Sequence, residues 1–305
     1  MKRGLLAGVA VAAAFATGSA AFADNIFGGD EGKFLLTAGF NDIDGAGGGG
    51  IVPLAFISGY ESQDSWGANA HFTNVQLRDF HLRAYGVTLG LIDRVELSAT
   101  RHQLDVTGTP LDGLGVDQDI FGLKVKLVGD AVYNQDTWLP QVAAGVEYKK
   151  NDGIQDSDAV GLPGLISTVQ LGARTDHAAD YYLAASKVLL GPSVLLNVVL
   201  RYTKANQFGL LGFGGDLHRG YSLEPEASVA YLLSQRVALG AEYRSRPHNL
   251  SADDESKAWD VFAAWAPTKN ISIVVAYADV GSILAPVTKI DRGQNGTYLS
   301  FQAGF

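Results

Sequence analysis

Cysteine is absent from the 305-residue sequence. Disulfide bonds therefore cannot stabilise the protein, which excludes the small disulfide-rich scaffolds found among secreted proteins. Basic residues are also scarce, because 23 Lys and Arg stand against 32 Asp and Glu, for a formal net charge of −9. This balance argues against a nucleic-acid partner, since phosphate binding needs clustered Lys and Arg.

The sequence also lacks an apolar run long enough for a transmembrane helix, which needs about 20 residues. The short run 4–16 follows two basic residues and precedes the small-x-small triplet Ala21-Phe22-Ala23. This pattern is typical of a secretory signal peptide that is cleaved after the triplet. We therefore expect a signal peptide over 1–23 and a single mature domain over 24–305.

Helical periodicity is nearly absent beyond residue 30, where apolar and polar residues alternate instead. Runs of this kind cover 94–102, 138–149, 194–203 and 236–246. Strands in soluble sheets average about 5–6 residues, whereas a strand that crosses a membrane needs about 9–11. The runs are about ten residues long or longer, which favours membrane-spanning strands.

The connections between these runs alternate between short and long. Short connections are predicted at 92–93, 191–192, 234–235 and 267–269, and long polar ones at 107–119, 151–179, 204–220, 247–255 and 279–296. Outer-membrane barrels have short periplasmic turns at one end and long extracellular loops at the other. A soluble β-sandwich, the alternative fold, does not usually gather its long loops at one end. The sequence thus predicts an all-β, antiparallel transmembrane β-barrel.

The number of strands depends on the first part of the mature chain. Counting from residue 33 gives about 14 strands, with both termini in the periplasm. The runs 33–40 and 51–60 are the least regular, and if they lie inside the barrel, 12 strands remain. A barrel must close so that no strand edge meets lipid, so the last strand is expected to pair with the first, near 33–40.

The chain ends in NGTYLSFQAGF, where every second residue from Leu299 to Phe305 is apolar. A last strand that ends in Phe resembles the C-terminal signal that outer-membrane barrels present to their assembly machinery. We expect Phe305, Phe301 and Leu299 to form this signal. The expected partners are then the barrel-assembly machinery and outer-membrane lipid, and the expected location is the outer membrane of a Gram-negative bacterium.

Five segments of the mature chain carry a family resemblance. They read GGGIVPLAFISGY, AYGVTLGLIDRVELSATR, KANQFGLLGFGGD, GAEYRSRPHNL and TYLSFQAGF. They resemble an uncharacterised proteobacterial family of outer-membrane β-barrels, a domain of unknown function. The resemblance covers essentially the whole mature chain. It implies a fold and a location, but no substrate and no catalytic residue.

We assign the polar face of each strand to the barrel interior. The predicted lumen-lining residues are Arg83, Glu96, Lys124, Lys126, Glu147, Lys149, Lys187, Arg201, Glu224, Glu226, Glu242, Arg244 and Arg246. In a narrow barrel these charges would pair into a closed plug, because unpaired buried charge is costly. In a barrel of 12 to 14 strands, side chains alone are not expected to fill the interior. We therefore expect a water-containing lumen narrowed by a loop, with Glu226 opposite Arg244 and Glu224 opposite Arg246 on neighbouring strands.

The segment QFGLLGFGGD, residues 207–216, combines four glycines with four large apolar residues, Phe208, Leu210, Leu211 and Phe213. A phosphate-binding loop would follow a buried strand and begin a helix, and this segment does neither. A loop exposed to water would not need the apolar side chains. We expect it to fold over the barrel mouth or into it. The alternative is that these side chains enter the outer lipid or contact a neighbouring protein.

Catalytic and metal-binding motifs are not apparent. The acidic loops with Asp112, Asp117 and Asp119 and with Asp152, Asp156 and Asp158 lack the order of an EF-hand. The six histidines show no HExxH spacing, and no GxSxG motif is present. We predict no catalytic residue, no metal and no cofactor.

These expectations favour a non-enzymatic function, and we rank three hypotheses. The first hypothesis is a passive channel for small solutes, among which the apolar mouth loop favours amphipathic or aromatic ones. The first alternative is a closed structural or interaction barrel that displays its loops. A barrel hydrolase assembled from distant strands ranks last.

Overall fold

The computed structural model describes Lys33, residues 35–255 and residues 257–305. The predicted signal peptide lies outside these residues. Within them, twelve antiparallel strands pair into one closed barrel. The strands are β1 Trp66–Leu77, β2 Phe80–Leu91, β3 Val95–Val106, β4 Gly115–Val128, β5 Gln141–Gln155, β6 His177–Leu189, β7 Val194–Thr203, β8 Ser222–Ser234, β9 Val237–Ser245, β10 Lys257–Trp265, β11 Ile271–Asp279 and β12 Asn295–Gly304.

Helical structure is limited to short pieces outside the sheet. There are two α-helices in the described part of the chain, α1 Leu35–Ala38 and α2 Ala285–Thr288, and three 3₁₀ turns at Ser157–Val160, Thr168–Leu171 and Gln207–Gly209. None of these helices is long and apolar enough to cross a membrane.

The barrel closes between its first and last strands. β12 pairs with β1, with Phe72 opposite Phe301 and Leu77 opposite Gly296. The strand count is therefore twelve, the alternative to the main expectation of about 14. The expected pairing of the last strand with 33–40 is wrong, because the chain before β1 lies inside the barrel instead of in its wall.

The two faces of the wall differ in polarity, as alternation requires. Large apolar side chains are exposed on the outer face, among them Phe72, Val87, Leu97, Phe121, Leu183, Val198, Leu200, Tyr231, Leu239, Val261, Val275 and Phe301. The buried inner face carries Thr73, Thr88, Glu96, His102, Gln118, Lys124, Glu147, Lys149, Arg201, Glu226, Glu242, Arg244, Asp260 and Ser300. A closed barrel with an apolar exterior is the architecture of barrels that span membranes.

The connections separate the barrel into two ends. Most connections at one end are short, and the C-terminus of β12 also lies there. The β4–β5 connection is the exception, because residues 129–140 form a longer segment at this short-turn end. Trp138 belongs to that segment, where it is exposed, and not to β5 as the alternating pattern suggested. The long loops extend from the opposite end, which we call the loop end.

Residues 36–61 fill the barrel interior, and we call this segment the plug. Its apolar side chains are buried, among them Leu36, Ala38, Phe40, Ile51, Val52, Leu54, Ala55, Phe56 and Ile57. Isolated bridges from Asn41 to Gly47 and from Gly48 to Pro53 fold the segment back on itself. A side chain at Gly49 would overlap the carboxylate of Glu242 on the wall. The glycine-rich turn of the plug therefore lets its backbone approach the wall directly.

Candidate functional site

The interior of the barrel is the candidate site, because the plug meets charged side chains of the wall there. Glu96 on β3 and Lys124 on β4 lie opposite each other and form a buried ion pair of 3.0 Å. Glu96 accepts hydrogen bonds from the backbone N–H groups of Gly47 and Ser58 at 2.8 Å each. Lys124 donates to three plug carbonyls at 2.7–3.1 Å. A pair of wall charges thus binds the plug backbone on both sides.

A second group of charges surrounds Asp44 of the plug. Lys149 Nζ and Arg244 Nη1 each donate to Asp44 Oδ2 at 2.9 Å, and all three side chains are buried. The wall extends this network through Glu147, Asp180, Arg201 and Glu226. Four carboxylates therefore share three cations in a space closed to solvent. Such groups are stable only when they remain paired, so the plug carboxylate completes the network.

A third contact involves Glu242 on β9. Its Oε2 accepts the N–H groups of Gly50 and Ile51 at 2.7 Å each, and its Oε1 accepts the hydroxyl of Ser228 at 2.8 Å. Asp260 lies directly opposite Glu242 on β10 and is fully buried. Among the residues that the structure describes, none forms a hydrogen bond with either carboxylate oxygen of Asp260.

The base of the plug meets the wall at the short-turn end. Lys33 contacts the Glu61 carboxylate and lies 3.3 Å from Asp93, which also pairs with Lys126. Burial raises the pKa of Glu61 to about 7, an increase that Lys33 partly offsets. Lys33 precedes the plug and Glu61 is its last residue, so this cluster joins the two ends of the plug.

The segment 204–220 lies in the barrel opening at the loop end. Leu210, Leu211 and Phe213 are buried. The backbone of Phe213 bridges to Thr175 and to Ala205, which holds the loop against the start of β6 and the end of β7. The apolar side chains therefore pack within the protein and do not face outwards.

Phe208 connects this loop to the charged interior. Its carbonyl accepts hydrogen bonds from Gln118 at 3.2 Å and from Lys149 at 3.4 Å. Its ring faces the guanidinium groups of Arg244 and Arg246, at 4.6 Å and 5.1 Å from the ring centroid. Stacking of this kind stabilises buried arginines through the electrons of the ring. The loop thus covers the plug and the network together.

The predicted lumen residues mostly face the interior. The inward-facing ones are Glu96, Lys124, Lys126, Glu147, Lys149, Arg201, Glu226, Glu242, Arg244 and Arg246, and Glu224 is half-buried near the loop end. Lys126 lies at the short-turn end, 2.5 Å from Asp93. The expectation of a water-filled lumen differs from the structure, because the plug fills it. One cavity between the plug and β7–β11 has a volume of about 40 Å³, the space of about one water molecule.

The prediction that Arg83 lines the lumen is wrong, because Arg83 lies on the outer face of β2. It forms an ion pair with Asp105 at 2.7 Å near the loop end. Phe80, Leu82 and Ala84 take the inner positions there, in an apolar cluster that also contains side chains of the covering loops. The inner wall is apolar at the loop end, where the loops pack against it. The rule that polar residues face the interior therefore fails at that end of the barrel.

The prediction that Lys187 lines the lumen is also wrong. Lys187 lies opposite the exposed Leu196 on β7, on the outer side of β6. Its ammonium group donates to the carbonyl of Asn134, in the β4–β5 connection. That connection covers the side chain, which explains how a lysine is accommodated on an outward position.

The register of β8 and β9 confirms one of the two predicted charge pairs, and the second pair does not form. Glu226 lies opposite Arg244, with 3.1 Å between Arg244 Nε and Glu226 Oε1. β9 ends at Ser245, however, and Arg246 turns to Glu255 at 3.4 Å. Glu224 instead accepts a hydrogen bond from the Ser245 hydroxyl.

Several buried acidic residues were not identified from the sequence, among them Asp44, Asp180 and Asp260. Asp44 lies in a turn that resembled a loop between two strands, whereas Asp180 and Asp260 are single carboxylates within apolar strands. A charged residue at the centre of a membrane-spanning segment is rare and marks a functional position. That signal was available for Asp180 and Asp260. Asp44 could not be recognised without knowing that the plug lies inside the barrel.

Three residues of the predicted acidic loops lie on strands. Asp117 and Asp119 of β4 and Asp152 of β5 surround Arg101 at 2.6–3.0 Å, so a guanidinium group balances their charge. Among the described residues, no group of three or more His, Asp or Glu side chains is arranged to hold a metal ion. The buried His102 lies 2.7 Å from the carbonyl of Ile43 in the plug, and so serves the plug contact.

Similar solved structures are outer-membrane barrels. The NanC porin is 10% identical over 78% of this chain and 97% of its own, with a TM-score of 0.46. The KdgM porin is 7% identical over 78% and 99%, with a TM-score of 0.46. An outer membrane channel from Pseudomonas putida F1 is 11% identical over 83% and 96%, with a TM-score of 0.44.

No curated protein matches this sequence. A family match covers residues 37–302, which takes in nearly all of the plug and the whole barrel wall up to β12. The chain therefore belongs to the family described as "Protein of unknown function (DUF3034)".

Proposed function

We propose that the protein is an outer-membrane channel for small solutes that its own plug holds closed. The observation that carries this proposal is a polar inner wall with buried groups that the plug leaves without partners. Within residues 35–255 and 257–305, both ring nitrogens of His71, Thr100 Oγ1 and both oxygens of Asp260 have no hydrogen-bond partner. Buried polar groups of this kind need water or a solute as a partner. A wall of this composition suits a lumen that becomes aqueous when the plug leaves.

The nature of the plug contacts supports the same proposal. Wall side chains hold the plug mainly through hydrogen bonds to its backbone, as Glu96, Lys124 and Glu242 show. Water can replace each of these contacts once it enters. An interior built only of interlocking apolar side chains would offer no such replacement.

The location follows from the outer surface of the barrel. Exposed Leu, Val, Phe and Tyr side chains cover the wall, and such a surface is stable only in lipid. The last strand, β12, ends at Gly304 immediately before Phe305, the position expected of an assembly signal for the barrel-assembly machinery. We therefore place the protein in the outer membrane of a Gram-negative bacterium, with the short-turn end and both termini in the periplasm.

The class of solute is less closely defined than the channel itself. The inner wall is charged with both signs, which suits small polar solutes. The preference for amphipathic or aromatic solutes stays a prediction, because the apolar residues of 204–220 are packed away in the closed state. They would face a passage only after the loop has moved.

A disulfide lock tests whether the plug is a gate. A Cβ atom on Gly39 would lie 3.0 Å from Ser272 Oγ on β11, a separation that suits a cross-link. The native chain has no cysteine, so G39C/S272C would form no competing bond. In planar bilayers, we expect conductance steps from the wild-type protein and the reduced variant. Oxidation should abolish the steps of the double variant, and the single variants G39C and S272C should not respond.

A closed structural barrel is the second candidate, favoured by the complete filling of the lumen by the plug. It predicts no conductance from the wild-type or the reduced variant at any applied voltage. That result would overturn the channel proposal. Conductance that persists after oxidation would instead show that solutes bypass the plug.

A further inference from the structure

Several buried carboxylates of this barrel form ion pairs, and two others, Asp42 and Asp253, have no ion pair within the described part of the chain but accept hydrogen bonds from the protein. Glu96 pairs with Lys124, and Glu255 lies 3.4 Å from Arg246. The Asp44 network contains three cationic side chains. Among the described residues, no lysine or arginine forms an ion pair with Glu242 or Asp260, which face each other on β9 and β10. Two carboxylates at this place therefore lack a counter-charge.

The hydrogen bonds of Glu242 favour its ionised form. Two backbone N–H groups of the plug and the hydroxyl of Ser228 all donate to this carboxylate. Donors directed at both oxygens stabilise the negative charge. Asp260 has no such donors among the described residues, so it is the less stabilised carboxylate of the pair.

Asp260 lacks the donors that an ionised carboxylate needs. Its side chain is fully buried, and within the described part of the chain neither oxygen has a hydrogen-bond partner. A bound cation would satisfy both oxygens and supply the missing positive charge.

We propose that Glu242, Asp260 and the plug backbone at Gly50 form a binding site for one hard divalent cation of the Ca²⁺ class. All the available donors are oxygens, which such cations prefer, and two carboxylates balance a charge of two. The absence of a side chain at Gly50 keeps this place open, because a Cβ there would lie 2.8 Å from Asp260 Oδ2.

The site would join the plug to the wall. Glu242 already binds the plug turn at Gly50 and Ile51, and a cation would connect this turn to β10 as well. Removal of the cation would leave two like charges facing each other beside the plug. The proposal concerns binding and plug retention, and it holds whether or not the barrel conducts solutes.

Direct binding to the folded mature chain tests this site. The protein in detergent micelles is stripped with a chelator and titrated with Ca²⁺ by calorimetry. We expect one Ca²⁺ per chain and a loss of affinity of about tenfold or more in Asp260→Asn, because this variant removes one of two charged ligands. Asp254→Asn, at an exposed loop position, is the matched control and should bind like the wild-type protein.

The unfolding temperature gives a second measurement that does not depend on calorimetric heats. Saturation with Ca²⁺ should raise it by about 5 °C in the wild-type protein and in Asp254→Asn, but not in Asp260→Asn. Equal binding by Asp260→Asn would place the ion elsewhere and overturn the assignment. No binding and no shift in the wild-type protein, with Asp260→Asn more stable than it, would also overturn the proposal and identify Asp260 as a neutral acid.

Discussion

Arg244 contacts three different parts of the barrel. It bonds Asp44 of the plug at 2.9 Å and Glu226 of the wall at 3.1 Å, and its guanidinium faces Phe208 of the covering loop. A single buried side chain thus connects the plug, the wall and the loop. Its removal leaves two carboxylates short of a cation in a space closed to solvent.

We therefore expect Arg244→Ala to destabilise the folded barrel by about 3–5 kcal/mol, the range for a broken buried ion pair. Urea unfolding, followed by the gel mobility of unboiled samples, measures this loss. Arg83→Ala is the matched control, because its ion pair with Asp105 lies on the outer surface and is worth about 0–1 kcal/mol. Equal losses in the two variants would contradict a closed, solvent-free network.

Glu61 should make the stability depend on pH. Burial raises its pKa from 4.5 to about 7. The folded barrel therefore keeps a proton that the unfolded chain releases, so its contribution to the free energy of unfolding is complete below about pH 4.5. That contribution is lost as the pH rises through about 7.

Glu61→Gln removes this titration, so its stability should fall less than that of the wild-type protein between about pH 5 and pH 8. Urea unfolding at the two pH values measures the difference. Burial also raises the pKa of Glu255, to about 8, but that group titrates equally in both proteins and cancels in the comparison. An identical decline in both proteins would show that Glu61 is ionised throughout this range.

Among the structural elements, the covering loop 204–220 and the plug close the barrel in series. The loop lies above the Asp44 network, and the plug occupies the space below. Deletion of 208–213 should leave the resting barrel closed, since the plug remains in place. It should raise the conductance of the open state, because the loop narrows the mouth. Single-channel recording of the deletion variant with wild-type protein as reference measures both, and a barrel that conducts at rest would contradict this order.

The strands themselves could be predicted closely from alternation. The run 194–203 corresponds to β7 Val194–Thr203, and the connections predicted as short lie at one end of the barrel, where only 129–140 is long. The plug could not be recognised in the same way. Its apolar residues at 33–40 and 51–60 resemble strands, because a segment packed inside a barrel is as apolar as one in its wall. Whether such a segment becomes a strand of the wall or a plug depends on which strands close the barrel. The local pattern of apolar residues does not contain that information.

The whole molecule shows why the interior was only partly predictable. Twelve strands enclose more space than side chains can fill, and this much follows from strand number. The sequence analysis assigned the remaining space to water, whereas the chain fills it with residues 36–61. The charges assigned to the lumen wall are mostly there, but their partners are plug atoms that lie far away in sequence.

The plug begins and ends at the same end of the barrel. Lys33 and Glu61 are in contact there, so the segment enters the interior, turns at its glycines and returns to where it started. A strand threaded through the barrel could leave only by pulling one chain end along its length. A folded-back finger can instead be withdrawn and reinserted as a unit while the junction of β1 and β12 stays closed. If the plug gates the barrel as we propose, this topology allows it to occlude the lumen reversibly without any unfolding of the wall.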